Sequence, residues 1–185
     1  FFIKSFIELM ASAGLSADPF TLRIVLPVGI SFYTFQTLSY TIDIWRRQME
    51  PTEDVIEFFA FVSFFPQLVA GPIERASHLL GQFAEKRRFD LARASDGCRQ
   101  ILWGFTKKVV IADRLAPVVS SVYSDPDAPV EALVVATLFF AFQIYCDFSG
   151  YSDIALGTAR LFGFELMQNF DTPYFSRNVS EFWKR

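Results

Sequence analysis

Two stretches near the end of the chain carry residue types able to do chemistry. Gln143-Ile-Tyr-Cys-Asp147-Phe-Ser-Gly-Tyr151-Ser-Asp153 sets an amide and two acids directly behind an apolar run. Ionisable groups at such a depth are costly unless they face a cavity or a partner. Gln143 and Asp147 stand four residues apart, on one helix face. Groups so placed can build an active site or line a permeation path between broken helices. Alternatively, Asp147 and Asp153 cap helices broken at Gly150 and bond backbone groups there. The second stretch runs Asn169-Phe-Asp-Thr-Pro-Tyr174-Phe-Ser-Arg-Asn178-Val-Ser-Glu-Phe-Trp183-Lys-Arg185. Asn178 with Glu181 three residues on has the form of a capping box, so a new helix is expected to start at Val179. The sole histidine, His78, could be a general base, but it follows a loop and has no evident carboxylate at helical spacing. It reads as solvated or interfacial. Cys98 and Cys146 show neither metal-ligand spacing nor a disulfide framework, and read as packed free thiols.

The elements that must position these groups are written in long apolar blocks. Of the 185 residues 52% are hydrophobic and 17% aromatic, with 23 phenylalanines; mean hydropathy is +0.29. Few water-soluble domains could keep so many rings from solvent. Residues 24–42 are uncharged, about the length of a bilayer span. Pro27 and Gly29 should kink that helix, and its Ser, Thr, Tyr and Gln content turns it toward other helices or a cavity. Residues 55–71 form a shorter block, broken by Pro66 and then by Gly71-Pro72, which predicts a re-entrant or tilted segment ending in a turn at a watery surface. From Cys98 to Ala116 the residues Cys98, Ile101, Leu102, Phe105, Val109, Ala112 and Ala116 make one helical stripe, with Arg99, Lys107 and Arg114 opposite. Such a helix lies in the membrane interface or caps a bundle, and Pro117 should end it. After a loop at residues 124–129, a third apolar block covers 132–146, Gly150 is placed to break or tighten the backbone before Tyr151, and a helix resumes over 154–163. The expectation is an all-α, polytopic integral-membrane bundle with broken, re-entrant and interfacial helices.

The net charge of −3 hides segregation. Residues 75–99 concentrate Lys86, Arg87, Arg88, Arg93 and Arg99, which places that segment on the cytoplasmic side by the positive-inside rule. Basic residues are too few, and aromatics too confined to apolar blocks, for nucleic-acid binding. Residues 1–10 read as the tail of an earlier helix rather than a signal peptide. Residues 1–185 are accordingly expected to be one partial domain of a larger protein.

Four segments resemble the membrane-bound O-acyltransferase family: Pro27-Val-Gly-Ile-Ser-Phe-Tyr-Thr-Phe-Gln36, Phe64-Phe-Pro-Gln-Leu-Val-Ala-Gly-Pro-Ile73, Gln143 to Asp153, and Asn178-Val-Ser-Glu-Phe-Trp-Lys-Arg185. They fall in family order along nearly the whole chain. Within the family the pattern most resembles the branch that acetylates alginate, with D-alanyl transfer to teichoic acids as its neighbour. The resemblance implies a multi-pass enzyme of the bacterial cytoplasmic (inner) membrane with a funnel through it. It also implies acetyl-CoA as acyl donor with no permanently bound cofactor or metal, and an exported polysaccharide and a periplasmic or extracellular transfer protein as partners. The family's histidine follows the Phe-Trp-x-Arg run, so it is expected just beyond Arg185, and His78 does not inherit the role. This chain alone is therefore expected to be inactive. Acyl transfer to a hydroxyl needs a base and donors for the developing oxyanion. Gln143, Asp147, Tyr151, Asp153, Asn169, Tyr174, Asn178, Trp183 and Arg185 are the candidates for lining the funnel or supporting that histidine. Arg87, Arg88, Arg99 and Lys107 are candidates for the donor's phosphates. D-alanyl or another acyl transfer, and a non-enzymatic transporter or channel, stand as alternatives.

Overall fold

The computed structural model describes residue 12, residues 30–68, 71–72 and 74–185. The chain divides into two units, Phe1–Ile30 and Ser31–Arg185. The expectations for residues 1–10, Pro27 and Gly29 lie outside the described residues. Those described form helices and no strand, in keeping with the all-α expectation.

Helix α1 (Ile30–Trp45) is followed by α2 (Val55–Val62), α3 (Ala76–Ala84) and α4 (Leu91–Phe105). A π-helical stretch, Thr106–Ala112, joins α4 to α5 (Asp113–Tyr123). Helix α6 (Val130–Leu161) and the short α7 (Val179–Phe182) complete the order. Local chemistry sets several ends. Asp54 caps α2 through Ile56 N–H at 2.7 Å, and Asp90 caps α4 through Ala92 N–H at 2.8 Å, each satisfying a donor the first turn leaves over. The apolar segment after Asp54 is short and broken, as expected: α2 has eight residues and gives way to a 3-10 turn at Phe65–Gln67 holding Pro66. Buried Gln36 of α1 donates to Phe61 O at 3.0 Å, and Gln67 donates to the same carbonyl at 3.1 Å. That carbonyl lies at the end of α2, where no following turn reaches it.

Three sequence expectations are overturned. Gly150 does not interrupt anything, because α6 runs unbroken for 32 residues. A glycine is tolerated inside a helix when a close neighbour repays its entropy: a Cβ on Gly150 would lie 2.8 Å from Gly104 O. Pro117 does not end its helix but sits inside α5. The Gly71-Pro72 turn is not at a watery surface, since Gly71, Pro72 and Glu74 are all buried.

Helix α6 is the organising element. At about 1.5 Å per residue it is some 48 Å long, more than a ~30 Å hydrocarbon layer requires. Among the described residues it is the one helix long and apolar enough to cross a membrane. Its greasy first half is outward, with Val134, Leu138, Phe142 and Ile144 exposed. Its small and polar second half is inward, with Ser149, Gly150, Ser152, Ala155, Gly157 and Ala159 buried. In lipid, packing selects small residues for helix contacts and leaves large apolar ones outside.

Two contact regions hold α6. Along the α4–α6 seam the helices run antiparallel: a Cβ on Gly97 would lie 2.7 Å from Gly157 O, and one on Gly104 would lie 2.5 Å from Gly150 O. The stripe read from Cys98 to Ala116 is therefore misassigned. Leu102 (68% exposed), Phe105 and Val109 face outward, Cys98 is exposed rather than packed, and the buried positions of α4 are Ala94, Gly97 and Gly104. The second region is an aromatic and leucine cluster of Phe61, Phe64, Leu79, Leu80, Leu156 and Leu166. Phe164 meets Phe64 at 4.8 Å and Phe83 at 4.7 Å between ring centroids there.

Candidate functional site

A cavity of about 910 Å³ opens beside α6, walled by Trp103 and Lys107 on one side and by residues 168–175 on the other. Phe142, Tyr145 and Cys146 supply the α6 wall toward its apolar half, and Ser149, Ser152 and Asp153 supply it toward the polar half. The cavity thus has a greasy aromatic part and a small polar part, the ordinary form of a site that holds an apolar chain and orients a polar group.

Asp153 is the polar focus. Its Oδ2 meets Lys107 Nζ at 2.7 Å and its Oδ1 accepts from Gln100 Nε2 at 3.1 Å. Both partners of the ion pair are largely buried, at 14% and 17% side-chain exposure. Lys107 Nζ also stands 5.7 Å from the Trp103 ring centre and 5.8 Å from that of Tyr145, a cation held between ring faces. The sequence placed Lys107 on the polar, outward side; it points instead into the cavity, because α4 buries its glycine face and Lys107 follows that face. Asp147 takes the other side of α6: it is half-exposed and pairs with Lys108 Nζ, which also holds Asp113 at 2.8 Å. Neither acid caps a broken helix, so the capping alternative falls with the break at Gly150. Among the described residues no three His, Cys, Asp or Glu side chains are grouped to hold a metal ion.

The far wall is loop. Asn169 Nδ2 donates to Ser152 Oγ at 3.2 Å, and Tyr174 O–H donates to Ala141 O at 2.7 Å. Tyr145, Phe170 and Tyr174 form a ring cluster, Tyr145 lying 5.9 Å from Phe170 and 5.3 Å from Tyr174. Asn178 caps α7 as the sequence indicated, its side chain accepting Glu181 N–H at 2.8 Å. Glu181 reaches back to Arg177 N–H at 2.8 Å, one residue earlier than in a standard capping box. Those bonds hold the Glu181 carboxyl below its usual range, the Arg177 N–H first and Arg185 after it. Arg185 bonds Thr172 Oγ1 at 3.3 Å, and its carbonyl accepts Asp171 N–H at 2.6 Å.

Of the sequence candidates, then, Asp153, Asn169, Tyr174 and Lys107 line the cavity, and Arg185 braces its rim through Asp171 and Thr172. Gln143, Asp147, Tyr151, Asn178 and Trp183 do not line it; Gln143 Oε1 is buried without a hydrogen-bond partner, and Trp183 is exposed. Arg87 is spoken for: its guanidinium bonds the carbonyls of Gln82 and Gly163 and lies 3.8 Å over the Phe164 ring. It shares a smaller recess of about 210 Å³ with Arg88, Arg93 and Arg160, while Arg99 is exposed on α4. Trp103, Gln100, Ser149 and Ser152 belong to the site and were missed; the i, i+3, i+7 spacing of Ser149, Ser152 and Leu156 on α6 was the available signal.

His78 has the carboxylate the sequence reading denied it. Its Nδ1 lies 2.8 Å from Glu74 Oε2, four residues back. The pairing went unseen because Glu74 sits before the α3 N-terminus, in the Gly-Pro turn.

Comparison with known proteins bears on all of this. Residues 52–185 match the model of the membrane-bound O-acyltransferase family. The "Probable alginate O-acetylase" of Azotobacter vinelandii is 40% identical over 100% of this chain and 37% of its own length. The "Peptidoglycan O-acetyltransferase" of Helicobacter pylori is 32% identical over 89% of this chain and 36% of its own. The "Teichoic acid D-alanyltransferase" of Streptococcus thermophilus is 26% identical over 100% of this chain and 47% of its own. The chain spans between a third and a half of the length of these relatives.

Proposed function

The chain belongs to the membrane-bound O-acyltransferase family, and from that premise we propose that it is part of an enzyme that O-acetylates an exported polysaccharide such as alginate. The observation that carries this reading is the likeness of the whole chain to an alginate O-acetylase. The proposed donor is cytoplasmic acetyl-CoA, with the acetyl group passing through a multi-pass protein of the bacterial inner membrane to a periplasmic or extracellular transfer protein and the polymer.

The roles of this chain's own residues follow from the cavity. Phe142, Tyr145, Trp103 and Phe170 keep water from a thioester. Lys107 holds the Asp153 carboxyl in place through its 2.7 Å contact, and with Asn169 and Tyr174 it keeps the polar end in one geometry. Arg185 ties α7 to Asp171 and Thr172 at the rim. A histidine expected shortly beyond Arg185 would thus start from that rim, where it could take the acceptor hydroxyl's proton. Arg88 and Arg99 are the basic side chains left for donor phosphates, since Arg87 and Lys107 are engaged. The similarity to a teichoic acid D-alanyltransferase supports, as the second reading, transfer of another acyl group on the same scaffold.

The test is deletion of the gene in its own host, followed by NMR of the exported polymer and complementation with the full-length gene. Loss of O-acetyl esters, restored on complementation, is expected. Unchanged acetylation overturns the proposal, and loss of a different ester moves it to the second reading.

A further inference from the structure

The cavity's loop wall has an anchor that none of the site residues supplies. Glu74 is completely buried. One of its carboxylate oxygens accepts the Met167 N–H, 93 residues away, and the other meets His78 Nδ1 at 2.8 Å. A buried carboxyl group is retained only where its polar atoms find partners, and here each oxygen has one. The residues immediately after Met167 are Gln168, Asn169, Phe170, Asp171 and Thr172, which form the wall of the cavity facing α6. Helix α3 reinforces the same segment: Gln82 Nε2 donates to Glu165 O, and Gln82 Oε1 accepts Glu165 N–H, both at 2.9 Å. Leu166, between these bonds, is buried in the aromatic cluster. Residues 164–167 are therefore clipped along α3 as a neighbouring strand would be, with Glu74 as the buried clip.

We propose that Glu74 is a positioning residue for the cavity: through Met167 N–H and His78 it fixes the segment whose continuation forms the cavity's loop wall. It touches no reacting atom. Its contribution to catalysis rests on the acyl-transfer reading above, but its contribution to the wall does not. Cys146 reports on the wall directly, since it is buried, lines the cavity and lies opposite the loop, while Cys98 is exposed and serves as the internal reference.

The experiment uses the full-length protein in native membranes, treated with N-ethylmaleimide, and reads the labelling rate of the Cys146 peptide against the Cys98 peptide by mass spectrometry. Glu74→Met fills the space without an acceptor, whereas Glu74→Gln keeps an oxygen for Met167 N–H. Losing the bonds to Met167 N–H and His78 should raise Cys146 labelling about tenfold in Glu74→Met, and Glu74→Gln should stay within about twofold of the wild type. In acyl-transfer assays, Glu74→Met should raise KM for the donor with the folded fraction unchanged, whereas a purely structural role would lower kcat in step with folded protein and leave KM alone. Wild-type labelling of Cys146 in folded Glu74→Met overturns the proposal, as does a kcat loss with KM unmoved. Should Glu74→Met not accumulate, His78→Ala removes one clip from a half-exposed position, and about threefold faster labelling is expected; wild-type labelling there overturns the proposal equally. If the wild-type protein transfers no acyl group, the labelling result still decides the role of Glu74, and only the functional reading fails.

Discussion

The α4–α6 seam and the aromatic cluster hold the same helix by opposite means. In the seam, backbone meets backbone through Gly97, Gly104, Gly150 and Gly157, and the polar contacts are charges: Lys107 with Asp153, Lys108 with Asp147, Arg160 with Asp96. In the cluster, rings and leucines fill the space and one carboxyl group, that of Glu74, is buried beside its hydrogen-bond partners. The cluster is packed as the core of a water-soluble protein is, largest residues inward. The seam inverts that order, smallest residues inward and Leu102, Phe105 and Val109 outward. Size rather than dislike of water sorts side chains where the surroundings are themselves apolar. The cavity lies where the two regimes meet, with Lys107 and Asp153 from the seam and its loop wall tied down beside the cluster.

The seam is most sensitive to Gly104→Leu. The new side chain would begin 2.5 Å from Gly150 O, backbone that cannot yield, so a loss of about 4 kcal/mol or more is expected. Thermal unfolding of the full-length protein in detergent measures it, and a wild-type melting temperature would mean the seam is not tightly closed. Asp153→Ala should come next. It strands the buried Lys107, at a cost of about 3 kcal/mol, whereas the double change Lys107→Met with Asp153→Leu should recover most of that stability while abolishing transfer. Stability and acetyl transfer read on the same preparations separate the two effects. In the cluster the sensitive direction reverses: Leu79→Ala, at a position with no exposure, should cost about 2–3 kcal/mol by leaving a void. Equal tolerance of enlargement and truncation in both regions would dissolve the distinction. The smallest effect belongs to the N-terminal cap of α7, whose bonds run only between Arg177, Asn178 and Glu181. Because the Glu181 carboxyl titrates below its unfolded value, its support for the cap is complete above the unfolded pKa and is lost as pH falls through the folded one. The protection factor of the Arg177 amide against hydrogen exchange should therefore fall as the pH drops through the folded-state titration of Glu181, which lies below the ordinary glutamate range.

What could be read from the sequence was whatever local chemistry decides. The Asn178 cap, the loop after Tyr123, the broken segment at Pro66 and the family pattern all depend on neighbours within a few residues, and each is found. The seam escaped because a stripe chosen by hydropathy lands on Leu102 and Phe105, whereas close approach chose Gly97 and Gly104. Gly150 was read as a breaker on intrinsic propensity, which a backbone contact from Gly104 overrides. Lys107 and Asp153 lie 46 residues apart, and Glu74 and Met167 are twice as distant along the chain. No periodicity connects such pairs, so half of the site's candidates were named and its central ion pair was not.

The π-helical stretch Thr106–Ala112 has a consequence for how this region tolerates changes of length. Each i→i+5 turn carries a residue more than the α-turn it replaces, so the stretch works as a vernier between α4, keyed to Gly150 and Gly157, and α5 beyond it. A single deletion within residues 106–112 is the length change such a vernier can absorb, by tightening to α-turns and rotating α5 while the glycine contacts upstream stay engaged. The same deletion one turn earlier, between Gly97 and Gly104, would slide the helices past each other and take both glycine notches out of step.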